Sequence, residues 1–147
     1  MKIILTLAAS AMLFGCAAGH LYPVQGPLST QRPLPVYPVT AAPGYAISVA
    51  LANGEVCKGH WTRGIPPTPS AAETTTPDAA TMDMTAAWDR VYGAGFYTAK
   101  VLGHEAWAVL LGDKGTVLHV RFIDEGDHPM TGIAADNRGN IFKLTST

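Results

Sequence analysis

Short apolar runs separated by glycine-containing turns fill residues 96–147, and this pattern constrains the fold more than any other feature of the chain. Leu118, Val120 and Phe122 alternate with polar residues, which is the period-two pattern of a half-buried strand. The pattern predicts an antiparallel meander with strands at 96–102, 106–111, 116–123, 131–135 and 140–145. Its last turn, Asp136–Gly139, is typical of a type I turn that places Gly139 in the left-handed region.

A further hairpin is predicted upstream, from residues 45–51 and 55–62 around Asn53–Gly54. Asn-Gly is the strongest two-residue hairpin signal and predicts a type I′ turn that sets Leu51 opposite Val56. One face of the hairpin would then carry Ala46, Ser48, Ala50, Cys57, Gly59 and Trp61. The opposite face would carry Ile47, Val49, Leu51, Val56, Lys58 and His60. Neither face is cleanly polar, so we expect the hairpin between two layers or in a small barrel.

One short helix completes the predicted domain. Met84–Tyr92 follows Asp83, a suitable N-cap, and ends at Gly93. Met84, Trp88 and Val91 fall on one helical face, so the helix should lie on the sheet as a lid. The fold class is therefore mainly β: a small antiparallel meander or partly closed barrel of about seven strands with one short helix.

Two proline-containing segments of low complexity set the expected domain boundaries. Residues 63–83 combine proline with Thr, Ala and Ser and are interpreted as a mobile insertion in the β domain, 45–147. Residues 16–44 hold only one charged residue and six prolines. Proline at this density favours extended polyproline II, so 16–44 is interpreted as a tether whose first third docks on the domain.

The first residues have the pattern of a signal peptide. Lys2 precedes the uncharged run 3–14, which is too short for a membrane-spanning helix but suits a signal-peptide core, 1–15. The run ends in Leu13-Phe14-Gly15-Cys16, which resembles the lipobox of bacterial lipoproteins. The alternative from the residues alone is an ordinary secretory signal that is cut after Ala18.

The lipobox resemblance implies cleavage before Cys16 and attachment of diacylglycerol to its thiol, with acylation of the new amino group. Ala17 then stands where an Asp would act as an inner-membrane retention signal in many diderm bacteria. The resemblance therefore implies a cell-envelope protein, lipid-anchored in the outer membrane and facing the periplasm. Three short blocks are similar to parts of uncharacterised small envelope lipoproteins: 21–28 (LYPVQGPL), 54–61 (GEVCKGHW) and 136–142 (DNRGNIF).

Charge and cysteine content limit the chemistry of the domain. The formal net charge is −1 and only 14% of residues are charged, which gives no electrostatic footprint for nucleic acid. Cys57 is the only cysteine besides Cys16, so the mature chain is predicted to have no intramolecular disulfide and a buried thiol. A Cys57–His60 catalytic pair is unfavourable, because residues three apart on a strand point to opposite faces.

No metal or cofactor motif is present, and we predict neither a catalytic site nor a cofactor. The histidines lack metal-ligand spacing, and the acidic residues of 124–127 lack the order of an EF-hand. A hydrolase or metal-dependent enzyme would need two or more of five polar side chains to converge: His60, His104, His119, Asp124 and Asp127.

Large aromatic residues are the remaining candidates for a contact surface: Trp61, Trp88, Tyr92 and Trp107. Their alternative role is in the core of the domain. We therefore predict a membrane-anchored, non-catalytic structural or binding module whose partner is an envelope protein or a glycan. The alternative function is an inhibitor of an envelope hydrolase, lysozyme or protease, that blocks a cleft with loop 63–83 or 124–129.

Overall fold

The chain forms a closed antiparallel barrel of eight strands. The computed structural model describes residues 17–42, 44–64, 84–124 and 131–146. Each strand pairs with the next, and the first pairs with the last. The strands are β1 (Ala17–Gln25), β2 (Tyr37–Ala42), β3 (Ala46–Ala50), β4 (Val56–Arg63), β5 (Glu105–Gly112), β6 (Val117–Ile123), β7 (Gly132–Asp136) and β8 (Ile141–Ser146). The predicted mainly β fold is confirmed, with eight strands and full closure in place of about seven strands and partial closure.

The two strands that complete the barrel come from the proline-rich segment. β1 and β2 lie inside 16–44, so the interpretation of this segment as a tether is wrong for its described residues, 17–42. The proline density predicted a tether wrongly, because a proline lacks the backbone N–H donor but keeps its carbonyl acceptor and a φ that a strand can accommodate. In β1 the pairing with β8 shifts register between Pro23 and Gln25, which is where a ladder tolerates a missing donor.

The β3–β4 hairpin has a longer turn than Asn53–Gly54 predicts. Ala50 pairs with Val56, and the amide of Leu51 donates to the carbonyl of Glu55 at 2.8 Å. Gly54 has φ 82°, but Asn53 is not in the left-handed region, so the turn is not type I′. The one-residue slip regroups the two predicted faces, because the β3 residues of each face now lie beside the β4 residues predicted for the opposite face. Ile47, Val49 and Cys57 all point into the barrel and are buried.

The helical elements lie outside the barrel. Helix α1 spans Met84–Tyr92 as predicted and packs against β7, which confirms the lid. The predicted strand 96–102 is wrong, because Tyr97–Val101 forms a π-helical turn. The Asp89 carboxylate accepts a hydrogen bond from the amide of Tyr97 at 2.9 Å and thereby ties this turn to the helix. The predicted N-cap Asp83 lies outside the described residues.

Two apolar clusters stabilise these layers. The inward-facing side chains of the strands fill the barrel. A second cluster joins α1 and the π-helical turn to the outer face of the sheet, through Met84, Ala87, Trp88, Val101, Ile123, Ile133 and Ala135. The hydroxyl of Tyr92 lies 2.9 Å from the Gly132 carbonyl and 3.0 Å from that of Leu144, which fixes the helix on β7 and β8.

Candidate ligand cavity at the barrel mouth

The meander places four chain connections at one end of the barrel, which we call the mouth: 26–36, 51–55, 113–116 and 137–140. The opposite end, the base, holds the start of β1, the end of β2 at Ala42, the start of β3 at Ala46, and Arg63 and Glu105. The two ends differ in how completely side chains fill the barrel interior. At the base the Trp61 ring lies 5.4 Å from the Phe122 ring, edge to face, and packs on the core. Large aromatic side chains therefore fill the barrel at the base.

The mouth is open, with a cavity of about 410 Å³. Its floor is made of buried side chains of the barrel interior, namely Leu21, Tyr37, Leu118 and Phe142. Pro27, Leu28 and Leu51 contribute apolar surface at the rim. The polar lining residues are Gln31, Asn53, Thr116, Asp136, Arg138 and Asn140. A mainly apolar wall with a few polar groups is the usual lining of a small-molecule site.

Asp136 and Asn140 hold one side of the rim in place. One oxygen of Asp136 accepts hydrogen bonds from the backbone amides of Arg138 and Asn140, both at 2.9 Å. The other oxygen accepts from the Asn140 side-chain amide at 2.9 Å. The Asn140 side-chain oxygen in turn accepts from the amide of Leu28 at 2.9 Å. These bonds link the β7–β8 turn to the connection between β1 and β2, so the rim is preorganised.

Glu55 holds the neighbouring side of the mouth, although its side chain is fully buried. Its Oε1 accepts from the amides of Lys114 and Thr116 at 3.0 and 2.9 Å, and its Oε2 accepts from the Thr116 hydroxyl at 2.8 Å. Burial by itself raises the pKa of Glu55, but these hydrogen bonds outweigh it and the pKa is lowered. A Cβ on Gly112 would overlap the carboxylate, so glycine is needed there.

Tyr37 and Arg138 are two lining residues whose polar groups are left for a ligand. In the described part of the chain, neither the Tyr37 hydroxyl nor the Arg138 guanidinium makes a hydrogen bond or an ion pair within the protein. Burial raises the pKa of Tyr37, the Asp136 carboxylate raises it further, and Arg138 opposes the shift. Tyr37 therefore stays neutral and can donate a hydrogen bond into the cavity.

The four predicted contact aromatics do not form one surface. Trp88 has no exposed area, because it is buried in the second cluster, so its alternative role in the core is the observed one. Trp61 points into the base, and Tyr92 lies between α1 and the sheet. Trp107 is half-buried and lies on β5, whose inward residues are its neighbours Ala106 and Ala108. The rings therefore lie in separate parts of the fold.

The titratable side chains considered for catalysis are also separated. His60 is exposed on β4 and Cys57 is buried inside the barrel, which confirms that these two face opposite sides. His104 is exposed before β5. Half-buried His119 lies on β6, and burial, followed by the charge of Arg121, lowers its pKa. Among the described residues, no three His, Cys, Asp or Glu side chains are placed to hold a metal ion.

Asp124 and the predicted blocking loops complete the list of candidates. Asp124 pairs with Arg63 at the base and thus has a structural partner. Asp127 lies outside the described residues, as do 65–83 of the first predicted loop, 63–83, and 125–129 of the second, 124–129. The predicted signal peptide 1–15 and Cys16 also lie outside them. No helix of the described part is long and apolar enough to cross a membrane.

Comparisons with family models, with curated proteins and with solved structures find no match. The assignment of the mouth as a site therefore depends on its geometry alone. Sequence reasoning did not single out its key residues, Tyr37, Glu55, Arg138 and Asn140. The available signals were a Tyr followed by alternating residues in a proline-rich stretch, and a polar turn already expected at Asp136–Gly139.

Proposed function

We propose that the protein is an envelope lipoprotein, anchored through lipid on Cys16, whose barrel binds one small and mostly apolar molecule in its mouth. The cavity of about 410 Å³ over an apolar floor is the observation that carries this proposal. The function is binding without catalysis, and the partner is a small molecule of the envelope. Nucleic acid is not a partner in this proposal, since the net charge is −1.

The size of the barrel supports a single small ligand. Cavities that bind small molecules measure roughly 300–1,000 Å³, and barrels of eight strands are wide enough to hold one such molecule. Leu28 and Leu51 lie at the rim and pack partly against the interior, so they can cover apolar atoms of a bound molecule. Tyr37 and Arg138 provide donors for its polar end.

A neutral fluorescent amphiphile, N-phenyl-1-naphthylamine, tests the proposal directly. We expect saturable binding of one probe per chain, with an increase in fluorescence. Leu28→Glu brings a charge to the rim of the cavity and should weaken binding by about tenfold or more, because an unpaired charge beside apolar surface is unfavourable.

Val24→Glu is the matched control, because it adds the same charge four positions earlier on an exposed side chain outside the cavity lining. This variant should bind the probe like the parent chain. Circular dichroism shows whether both variants keep the fold. Probe uptake that does not saturate, or an equal loss of affinity in the two variants, would contradict binding in the mouth.

A further inference from the structure

The position of Cys16 relative to the barrel determines how an anchored protein would stand on a membrane. β1 begins at Ala17 and runs from the base to the mouth, and its first residue pairs with Thr40. Consecutive Cα atoms are about 3.8 Å apart, so residue 16 is attached directly at the base. With cleavage before Cys16 as proposed, no residue separates the lipid-bearing cysteine from β1, so the anchor restricts how the barrel can turn.

The base carries the side chains that favour a membrane interface. Tyr45 is 57% exposed, and its ring lies 4.7 Å from that of Trp61, edge to face. The Arg63 guanidinium pairs with Asp124 and lies 5.9 Å from the centre of the Trp61 ring, and its side chain remains 68% exposed. Tyr and Trp concentrate where bilayer and water meet, and Arg reaches lipid headgroups while its stem covers apolar surface.

We propose that the base is the membrane-contacting surface, with Tyr45, Trp61 and Arg63 at the level of the lipid headgroups and the mouth pointing away from the bilayer. This inference rests on the proposed lipid on Cys16. The occupant of the surface is the bilayer that holds the anchor, because the first strand brings this end and no other to the lipid.

The orientation also decides from which side a ligand enters. β5 has eight residues, which at about 3.3 Å per residue and a tilt of about 40° gives a barrel roughly 20 Å high. The mouth then stands about 20 Å above the headgroups, beyond the reach of the acyl chains. A ligand arrives through the aqueous side or from a carrier protein, and it does not diffuse directly from the anchoring membrane.

Quenching by brominated lipid tests the orientation in the acylated full chain. The protein is placed in vesicles of phosphatidylethanolamine and phosphatidylglycerol, with or without bromine on the acyl chains near the headgroup. Tyr45→Trp adds a fluorophore at the base, and Asp113→Trp adds one in an exposed turn at the mouth. The signal of the parent chain, with its three tryptophans, is subtracted in each case.

We expect the brominated lipid to remove roughly half or more of the fluorescence added at position 45, since an interfacial Trp lies at headgroup level, beside the bromine near the top of the acyl chains. The fluorescence added at position 113 should not change. Equal quenching at both positions, or quenching at 113 alone, would overturn the orientation.

Intact mass of the same sample separates this inference from the anchor on which it rests. Acyl chains on Cys16 without quenching at 45 refute the orientation and leave the proposed lipoprotein standing. A chain without acylation refutes the anchor, and the orientation with it, whereas probe binding in the mouth is measured independently of both.

Discussion

Trp88 offers a sharp test of how the helix is held on the barrel. It is 0% exposed in the second cluster, and its ring lies 6.0 Å from the stacked ring of Phe96. Its indole N–H is buried and has no hydrogen-bond acceptor among the described residues. A buried donor without a partner costs about 1–3 kcal/mol. Trp88 therefore stabilises the fold by its apolar surface and opposes it by its N–H group.

Two substitutions separate these contributions. Trp88→Ala removes the whole ring and should lower the free energy of unfolding by about 3–5 kcal/mol. Trp88→Phe keeps a ring in the stack and removes the N–H group. The lost apolar area costs about 1–2 kcal/mol, and the relief of the unpaired donor returns about 1–3 kcal/mol. Trp88→Phe should therefore change the free energy of unfolding by between a loss of about 1 kcal/mol and a gain of about 2 kcal/mol.

Urea unfolding followed by far-ultraviolet circular dichroism measures both variants. The midpoint should fall strongly for Trp88→Ala and fall little or rise for Trp88→Phe, with unchanged dependence of the free energy on urea concentration. If Trp88→Phe loses as much stability as Trp88→Ala, the indole N–H makes a stabilising hydrogen bond in the native protein, and the reasoning from an unpaired donor is refuted.

Four further outcomes follow from the described contacts. The pKa of Glu55 is lowered from 4.5, so its ionised form stabilises the fold above that pH, and this stabilisation is lost as the pH falls. Replacing the carboxylate by an amide in Glu55→Gln should therefore flatten the decline of urea midpoints between roughly pH 5 and 3. The pKa of His119 is lowered from 6.5, so stability should begin to fall below that pH, and His119→Gln should remove this earlier decline. Burial, followed by the charge of Glu55, raises the pKa of Cys57 to about 11. Ellman's reagent at neutral pH should therefore label this thiol only in urea, and rapid labelling of the folded protein would contradict its burial. Gly112→Ala should lower the free energy of unfolding by about 1–3 kcal/mol, because the added methyl group overlaps the Glu55 carboxylate. In a double-mutant cycle, the same Gly112→Ala substitution should lower the free energy of unfolding less in the Glu55→Ala background.

The parts of the fold that depend on local pattern could be predicted from the sequence. Strand β6 follows from the alternation of Leu118, Val120 and Phe122, and Gly139 has the positive φ, 84°, that its turn predicts. Helix α1 was predicted with its observed bounds, because a glycine ends it and its apolar spacing is helical. In each case neighbouring residues decide the conformation, so the sequence around the element contains the signal.

The closure of the barrel could not be predicted in this way. Leu21 pairs with Leu144, and no local pattern connects two positions so far apart in the chain. The proline density around Pro23 favours an extended chain. An extended segment becomes a strand when neighbouring strands offer unpaired edges for it to pair with, and otherwise it is a tether. Only the complete sheet provides those edges.

The candidate site depends on the same long-range pairing. Tyr37 and Arg138 reach one cavity because β1 brings the start of β2 beside the β7–β8 turn. The predicted register of the β3–β4 hairpin was wrong by one residue, since Asn53–Gly54 alone does not reveal that Glu55 is buried against the 113–116 connection. A buried carboxylate in a turn has no sequence signature, because most glutamates in turns are solvated.

The pairing of β1 with β8 also sets the order in which the molecule can assemble. Gly19 pairs with Ser146, so the first strand made must wait for the last before the ladder between them can form. Contacts that span nearly the whole chain make folding slow, and until closure both outer strands present unpaired edges to other molecules. The unclosed chain is therefore the state most exposed to aggregation and proteolysis, and its time in that state depends on how soon the C-terminal strand becomes available.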